Sequence, residues 1–207
     1  TVCTPSTPPN KFFTSGYFQC PAAGKHLKNV YIIESPVDFT LKINNNNKEE
    51  PIVFHCSINM LKVKDLSNFF FSLSNFYTFF TEEKNLEIEQ INPRFHNTEF
   101  SKNTTIAEAS FNIGKWFRGI HPNFISYKSE IKVKKGEPLY YIKFNTSKKI
   151  KFKNFSLNDN LIQFENNLVS YKHIISKTPL SKLYSLFMAK KYNKRILKEI
   201  KKNLTNY

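Results

Sequence analysis

One run gathers more chemically capable side chains than any other part of the chain. Phe111-Asn112-Ile113-Gly114-Lys115-Trp116-Phe117-Arg118-Gly119-Ile120-His121-Pro122 holds the only Trp, two of the five glycines, one of three arginines and a histidine. Rings, cations and turn-forming backbone together are the composition of ligand sites carried on loops. Trp116, Arg118 and His121 are therefore a candidate ligand site, and an enzyme centred on them is one function to test. The same residues suit a tight corner in which Trp116 plugs the core and Arg118 covers it, and this packing use is preferred.

Other catalytic arrangements are thin. His26, His55, His96, His121 and His173 are scattered singly, with no HxH or HExxH spacing to seat a metal. His96 with Glu99 is the nearest approach to a metal pair, and a satisfied surface histidine is the plainer account. His55 and Cys56 are adjacent, and in a strand adjacent side chains face opposite ways. Five glycines in 207 residues supply no phosphate-cradling loop. No catalytic residue, metal or cofactor is assigned. Cys3, Cys20 and Cys56 are odd in number and share no CxxC spacing, which fits a reducing compartment.

The stronger signal is charge. Thirty-one Lys and Arg against 16 Asp and Glu leave a net +15, and Arg94, Arg118 and Arg195 are the only arginines. Low-GC codons would supply much of this lysine without any anionic partner. The scarcity of Arg also counts against base-specific nucleic-acid reading, which favours bidentate contacts. Two segments nevertheless pattern their cations. Lys149, Lys151 and Lys153 alternate with Ile150 and Phe152, so a period of two turns the lysines one way and the apolar pair the other. Upstream, Ile131 and Val133 alternate with Lys132 and Lys134, Lys135-Gly136-Glu137 makes a turn, and 139–144 reads as the return strand. Paired as a meander, these strands would place Lys132, Lys143, Lys149, Lys151 and Lys153 on one outer face with Tyr141. The second cluster is Lys190, Lys191, Lys194, Arg195, Lys198, Lys201 and Lys202. From Lys177 onward there are nine basic residues and one acidic one.

These side chains need a scaffold, and its pattern is mainly β. Residues 1–29, with Pro5, Pro8, Pro9, Pro21, Gly16 and Gly24, read as an extended N-terminal arm. Residues 30–165 read as an antiparallel β domain, sandwich or jelly-roll-like, from short β-branched and aromatic runs broken by turns. Its strands are expected at 30–33 and 37–43 around Ser35-Pro36, at 52–54, within 66–80, and at 86–91, where one face is buried and the other acidic. Residues 166–207 read as a basic helical segment: Thr178 caps a helix with Pro179 at its first position, and Leu180, Leu183, Leu186, Phe187, Ile196, Ile200 and Leu204 recur at three-and-four spacing. The fold class is mainly β (α+β) with C-terminal helices. No stretch reaches the roughly 20 apolar residues of a membrane helix.

The run FNIGKWFRGIHP, with KKGEPLYYIKF after it and YTFFTEEKNLEIEQINPRF before it, resembles uncharacterised proteins of marine tailed phages, especially those infecting cyanobacteria and other low-GC hosts. The resemblance covers residues 77–155 and implies a viral origin, with a location in the host cytoplasm or virion, and no transferable activity. The VKKGEPLYYIKF hairpin also resembles strand-turn-strand units of jelly-roll and cupin proteins, without the cupin metal histidines. The expected function is non-enzymatic: a viral structural or accessory protein that binds neighbouring protein subunits or an acidic partner. The alternative is a nucleic-acid-binding β module using the lysine sheet face and the terminal helix.

Overall fold

The computed structural model describes residues 20–43, 52–55, 70–73, 77–175 and 177–205. In chain order the elements are α1 (Pro21–Leu27), β1 (Val30–Glu34), β2 (Phe39–Ile43), β3 (Ile52–His55), β4 (Phe70–Ser72), β5 (Glu87–Ile91) and α2 (Glu99–Asn103). There follow β6 (Thr104–Ile106), β7 (Ala109–Asn112), β8 (Asn123–Ser126), β9 (Glu130–Val133), β10 (Pro138–Phe144) and β11 (Asn154–Phe155). The chain closes with α3 (Asp159–Ile174), α4 (Leu180–Ala189), α5 (Tyr192–Lys202) and β12 (Leu204–Thr205). This is an α+β fold of antiparallel sheets with C-terminal helices.

The sheets run β1-β10-β5-β7, β3-β2-β9, β4-β8-β6 and β11-β12. Alternation explains their inner faces. Ile131 and Val133 of β9 are buried while Glu130 and Lys132 are exposed, and in β5 Ile88 and Gln90 turn inward while Glu87 is exposed. The three larger sheets contribute to one core, with Ile33, Ile88, Tyr140, Ile142 and Phe144 from the first, Leu41, Ile131 and Val133 from the second, and Phe71, Phe124 and Ile106 from the third.

Two turns read from the sequence are present, but each joins strands of different sheets. β1 pairs with β10 and β2 pairs with β9, so neither the 35–36 turn nor the 134–137 turn closes a hairpin. Both crossings meet at one corner: Ser35 donates its N–H to Glu137 O at 2.9 Å and accepts from Gly136 N–H at 2.8 Å. Gly136 has φ +82, which a residue without Cβ adopts at no steric cost.

Other boundaries shift. Residues 21–27, placed in the extended arm, form α1, which starts on Pro21; residues 1–19 lie outside the described residues. Within 66–80 a strand forms at Phe70–Ser72, and Thr78 bridges to Gly119. Residues 66–69 and 74–76 lie outside the described residues, as do Cys3 and Cys56; Cys20 is an exposed free thiol. Helical structure begins at Asp159, ahead of residue 166, because the Asn158 side chain accepts from Leu161 N–H and caps it. Pro179, expected inside the next helix, is its N-cap. Among the described residues no helix is long and apolar enough to cross a membrane.

A second core joins the sheets to these helices. Trp116 and Phe117 pack with Leu161, Leu183, Phe187, Ile196 and Ile200. Burial of that many large apolar side chains, each contributing about 1.5–3 kcal/mol, binds the helical segment to the β region.

Candidate functional site

The 148–153 segment is not a strand. Its alternation survives nonetheless: Lys149, Lys151 and Lys153 are exposed, and the half-buried Ile150 and Phe152 pack on the main core. Phe152 meets Tyr31 edge-on at 4.8 Å between centroids and lies 5.6 Å from Phe144 and 6.1 Å from Phe79. Apolar anchoring takes the place of ladder hydrogen bonds, so period two needs an extended chain over a core and not a neighbouring strand.

Both ends of the segment are tied. Asn29 sits at φ 58, a conformation Asn tolerates, and its side-chain amide donates to Thr146 O at 2.7 Å and to Lys148 O at 2.8 Å. At the other end β11 pairs with β12, Asn154 facing Thr205 and Phe155 facing Leu204. That ladder brings the last turn of α5 beside the segment. Lys201 Nζ lies 2.6 Å from Glu82 Oε1, and Lys148 Nζ lies 2.8 Å from Glu83 Oε1. Lys201 holds the Glu82 carboxyl below its usual range, first through the hydrogen bond and then through its charge, with Lys153 adding to the effect. The two basic segments thus meet at one acidic turn. Along α5 and in the two residues before it, Lys190, Lys191, Lys194, Arg195, Lys198, Lys201 and Lys202 are all exposed, while Ile196 and Ile200 are buried.

A cleft of about 1230 Å³ runs beside the segment, between 77–86 and 144–157. Lys149, Lys151 and Lys153 line it together with Tyr77, Phe79 and Phe152. The sequence carried no signal for Asn29, Glu82 or Glu83, and Tyr77 and Phe79 showed only as members of an apolar run.

The shared sheet face expected for Lys132, Lys143 and Tyr141 does not form. Lys132 lies on β9 opposite Thr40, and Lys143 lies on β10 between Val30 and Glu89. Tyr141 is 1% exposed, packed with Val30 and Ile32, and its hydroxyl lies 2.7 Å from His96 Nδ1. β10 is central to its sheet and buried on both faces, so alternation does not turn Tyr141 to solvent. Burial raises the Tyr141 phenol to about 12 and lowers the His96 imidazole. His96 is thus engaged within the fold, and Glu99 starts α2 and pairs with Lys128 at 3.7 Å.

Trp116 and Arg118 border one small space, and His121 is not among the residues that line it. Trp116 is buried against Phe187, 5.7 Å away, and Tyr184, 6.4 Å away. The Arg118 guanidinium lies 4.9 Å over the Phe111 ring, and His121 is exposed. The space among Phe111, Trp116, Arg118 and Tyr184 is about 10 Å³, room for about one water. Asn112 organises the loop: its Oδ1 accepts from the N–H of Gly114 at 2.9 Å and Lys115 at 2.8 Å, and its amide donates to Lys84 O at 2.9 Å. Gly114 is required there because a Cβ would strike the Glu83 carbonyl. The arrangement packs a corner, as the composition of the loop also allowed.

No known protein family, curated protein or solved structure matches this chain.

Proposed function

We propose that this protein works by binding, without a bond-making centre, and that the cations of 148–153 and α5 form one surface for an acidic macromolecular partner. The observation that carries this reading is the junction at Glu82, where the β11–β12 ladder and the Lys201 ion pair bring two lysine-rich segments together from distant parts of the sequence. Clustered exposed cations attract an anionic partner and release its counterions. A structural or accessory role suits such a surface.

The test uses substitution in the full chain. Deleting 190–207 would also remove Ile196 and Ile200 from the second core, whereas Lys190, Lys191, Lys194 and Lys198 are exposed. Changing these four lysines to Gln should lower the salt concentration needed to elute the protein from a heparin column, and combining them with Lys149→Gln, Lys151→Gln and Lys153→Gln should lower it further. Unchanged elution of the combined variant, with an unchanged circular dichroism spectrum, would refute the reading.

A further inference from the structure

We infer that the recess between the end of β7, the 115–118 loop and the start of α4 is a binding site for a carboxylate that carries a small apolar group. The site stands apart from the basic surface and does not rest on it.

Packing explains the rings at this corner but not its hydrogen-bond donors. Trp116 fills the second core, and the Arg118 guanidinium lies over the Phe111 ring. Among the described residues, however, neither the indole N–H nor any guanidinium N–H has an acceptor, and Arg118 belongs to no ion pair. Neither group is sealed from solvent, because the sealed polar atoms that lack a partner are Gln90 Nε2, Glu137 Oε2, Tyr140 Oη and Thr205 Oγ1. Burial lowers the Arg118 guanidinium against the opposing effect of Tyr184, as expected of a cation drawn out of water without a counter-charge.

These donors converge. Trp116 and Arg118 line the same space as Lys172 and Tyr184. Tyr184 Oη accepts from the Asn112 N–H at 3.3 Å, and burial raises its phenol, so the hydroxyl keeps a hydrogen to donate. The Asn112 side chain is occupied by its own turn and by Lys84 O. Among the described residues no carboxylate lines the space. Glu87, whose charge reaches Tyr184, accepts from Ser110 Oγ at 3.4 Å, and Glu165 accepts from the Gly119 N–H at 2.6 Å. A lining of donors with no acceptor to spare selects an anion.

Size and walls narrow the choice of anion. The enclosed space, about 10 Å³, admits one oxygen. Its exposed members are Lys172 and Leu180, which mark the mouth where the rest of the ligand lies. A carboxylate sends one oxygen inward and offers the other to the guanidinium fork or to Lys172. A phosphate would press a tetrahedron of oxygens and a second charge against Phe111, Ile113 and Leu180. Leu180, 43% exposed, gives an apolar substituent a surface to cover. The donors are held before any ligand arrives: Trp116 by Phe187, Arg118 by Phe111 and Tyr184 by Asn112.

Trp116 is the only Trp and lines the recess, so its fluorescence reports occupancy. The full chain is titrated at constant ionic strength with sodium 3-methylbutanoate, 3-methylbutanamide, N-acetyl-leucinate, inorganic phosphate and sodium chloride. The 3-methylbutanoate signal should saturate with a Kd of about 1 mM, and the neutral amide, phosphate and chloride should each bind about ten-fold more weakly or worse. Arg118→Gln should weaken 3-methylbutanoate binding about ten-fold or more without lowering the melting temperature, because the charge removed has no partner in the fold. Lys172→Gln should weaken it about three-fold. Lys172 is exposed, so this variant keeps its fold and decides the matter should Arg118→Gln melt lower. N-acetyl-leucinate pairs the same isobutyl group with the carboxylate of a peptide terminus. Tighter binding than 3-methylbutanoate supports a peptide terminus as the source of the carboxylate, and weaker binding supports a free acid. An amide that binds as well as the acid, a phosphate that binds better, no saturation up to about 20 mM, or unchanged affinity in both variants would each overturn the inference.

Discussion

The 111–122 loop and the 148–153 segment both mix rings with cations, yet they bury different parts of that mixture. In the loop, Trp116 and Phe117 fill a core between sheet and helices, and Arg118 lies on the Phe111 ring. In the segment, Ile150 and Phe152 turn inward and every lysine remains outside. The difference lies in where each backbone finds its support. Asn112 draws the loop inward by bonding its own turn and the 84 carbonyl, and Gly114 lets two backbones touch. The segment is held by Asn29 at one end, by β12 at the other and by two apolar side chains between. A ring-and-cation composition keeps its cations at the surface only when other groups anchor the chain.

The largest expected effect falls on the loop. Trp116→Ala should destabilise the protein by about 3–5 kcal/mol through the cavity it leaves, measured by urea unfolding, without altering the salt needed for heparin elution under folding conditions. A stable Trp116→Ala variant with weakened heparin binding would make the loop a binding element and dissolve the contrast.

Asn29→Ala should cost about 1–3 kcal/mol, since it removes both side-chain hydrogen bonds and puts Ala at a left-handed backbone position. Unlike a change in the loop, it should also lower the salt needed for heparin elution, because Asn29 holds the turn that leads into the lysine row. Loss of stability with full binding would show that the row holds its path without this clamp.

The helical side of the surface can be probed by pH. Glu199 accepts from the Asn158 amide, then Lys202 and then Asn160, and these hydrogen bonds hold its carboxyl down at about 2. A depressed folded-state value means that the stabilisation is present above the ordinary carboxylate range and is lost as pH falls through that range toward 2. Glu199→Gln should therefore flatten the stability profile in acid, seen as a smaller fall in melting temperature between pH 5 and about 2.5. An unchanged slope would remove this carboxylate from the junction between α3 and α5.

The smallest effect on stability is expected for Lys149→Gln/Lys151→Gln/Lys153→Gln, within about 0.5 kcal/mol. If the triple variant instead unfolded readily, the lysines would be part of the scaffold.

Much of the β architecture was legible because alternation is local. Ile131 with Lys132, Ile88 with Glu87, and Phe152 with Lys153 each declare their sides from adjacent residues, and the helical spacing of Leu183, Phe187, Ile196 and Ile200 does the same for the second core. Asn29, Glu82 and Glu83 were invisible because each acts on a partner far along the chain, and no local pattern marks an Asn that will reach a carbonyl 117 positions away. Tyr141 misled because its strand looks like part of a meander with one solvated face and is in fact buried on both faces.

By itself, then, the amino-acid order determined which way short stretches face, the helical C-terminal region and the concentration of positive charge there. Only the tertiary structure decided which strands share a sheet, that Trp116 is a core residue, and that lysines from 148–153 and α5 meet around Glu82. The physical reason is that side-chain direction follows from the repeat of the backbone within a few residues. Pairing and proximity are set instead by long-range burial and hydrogen bonds, which compete over the whole chain.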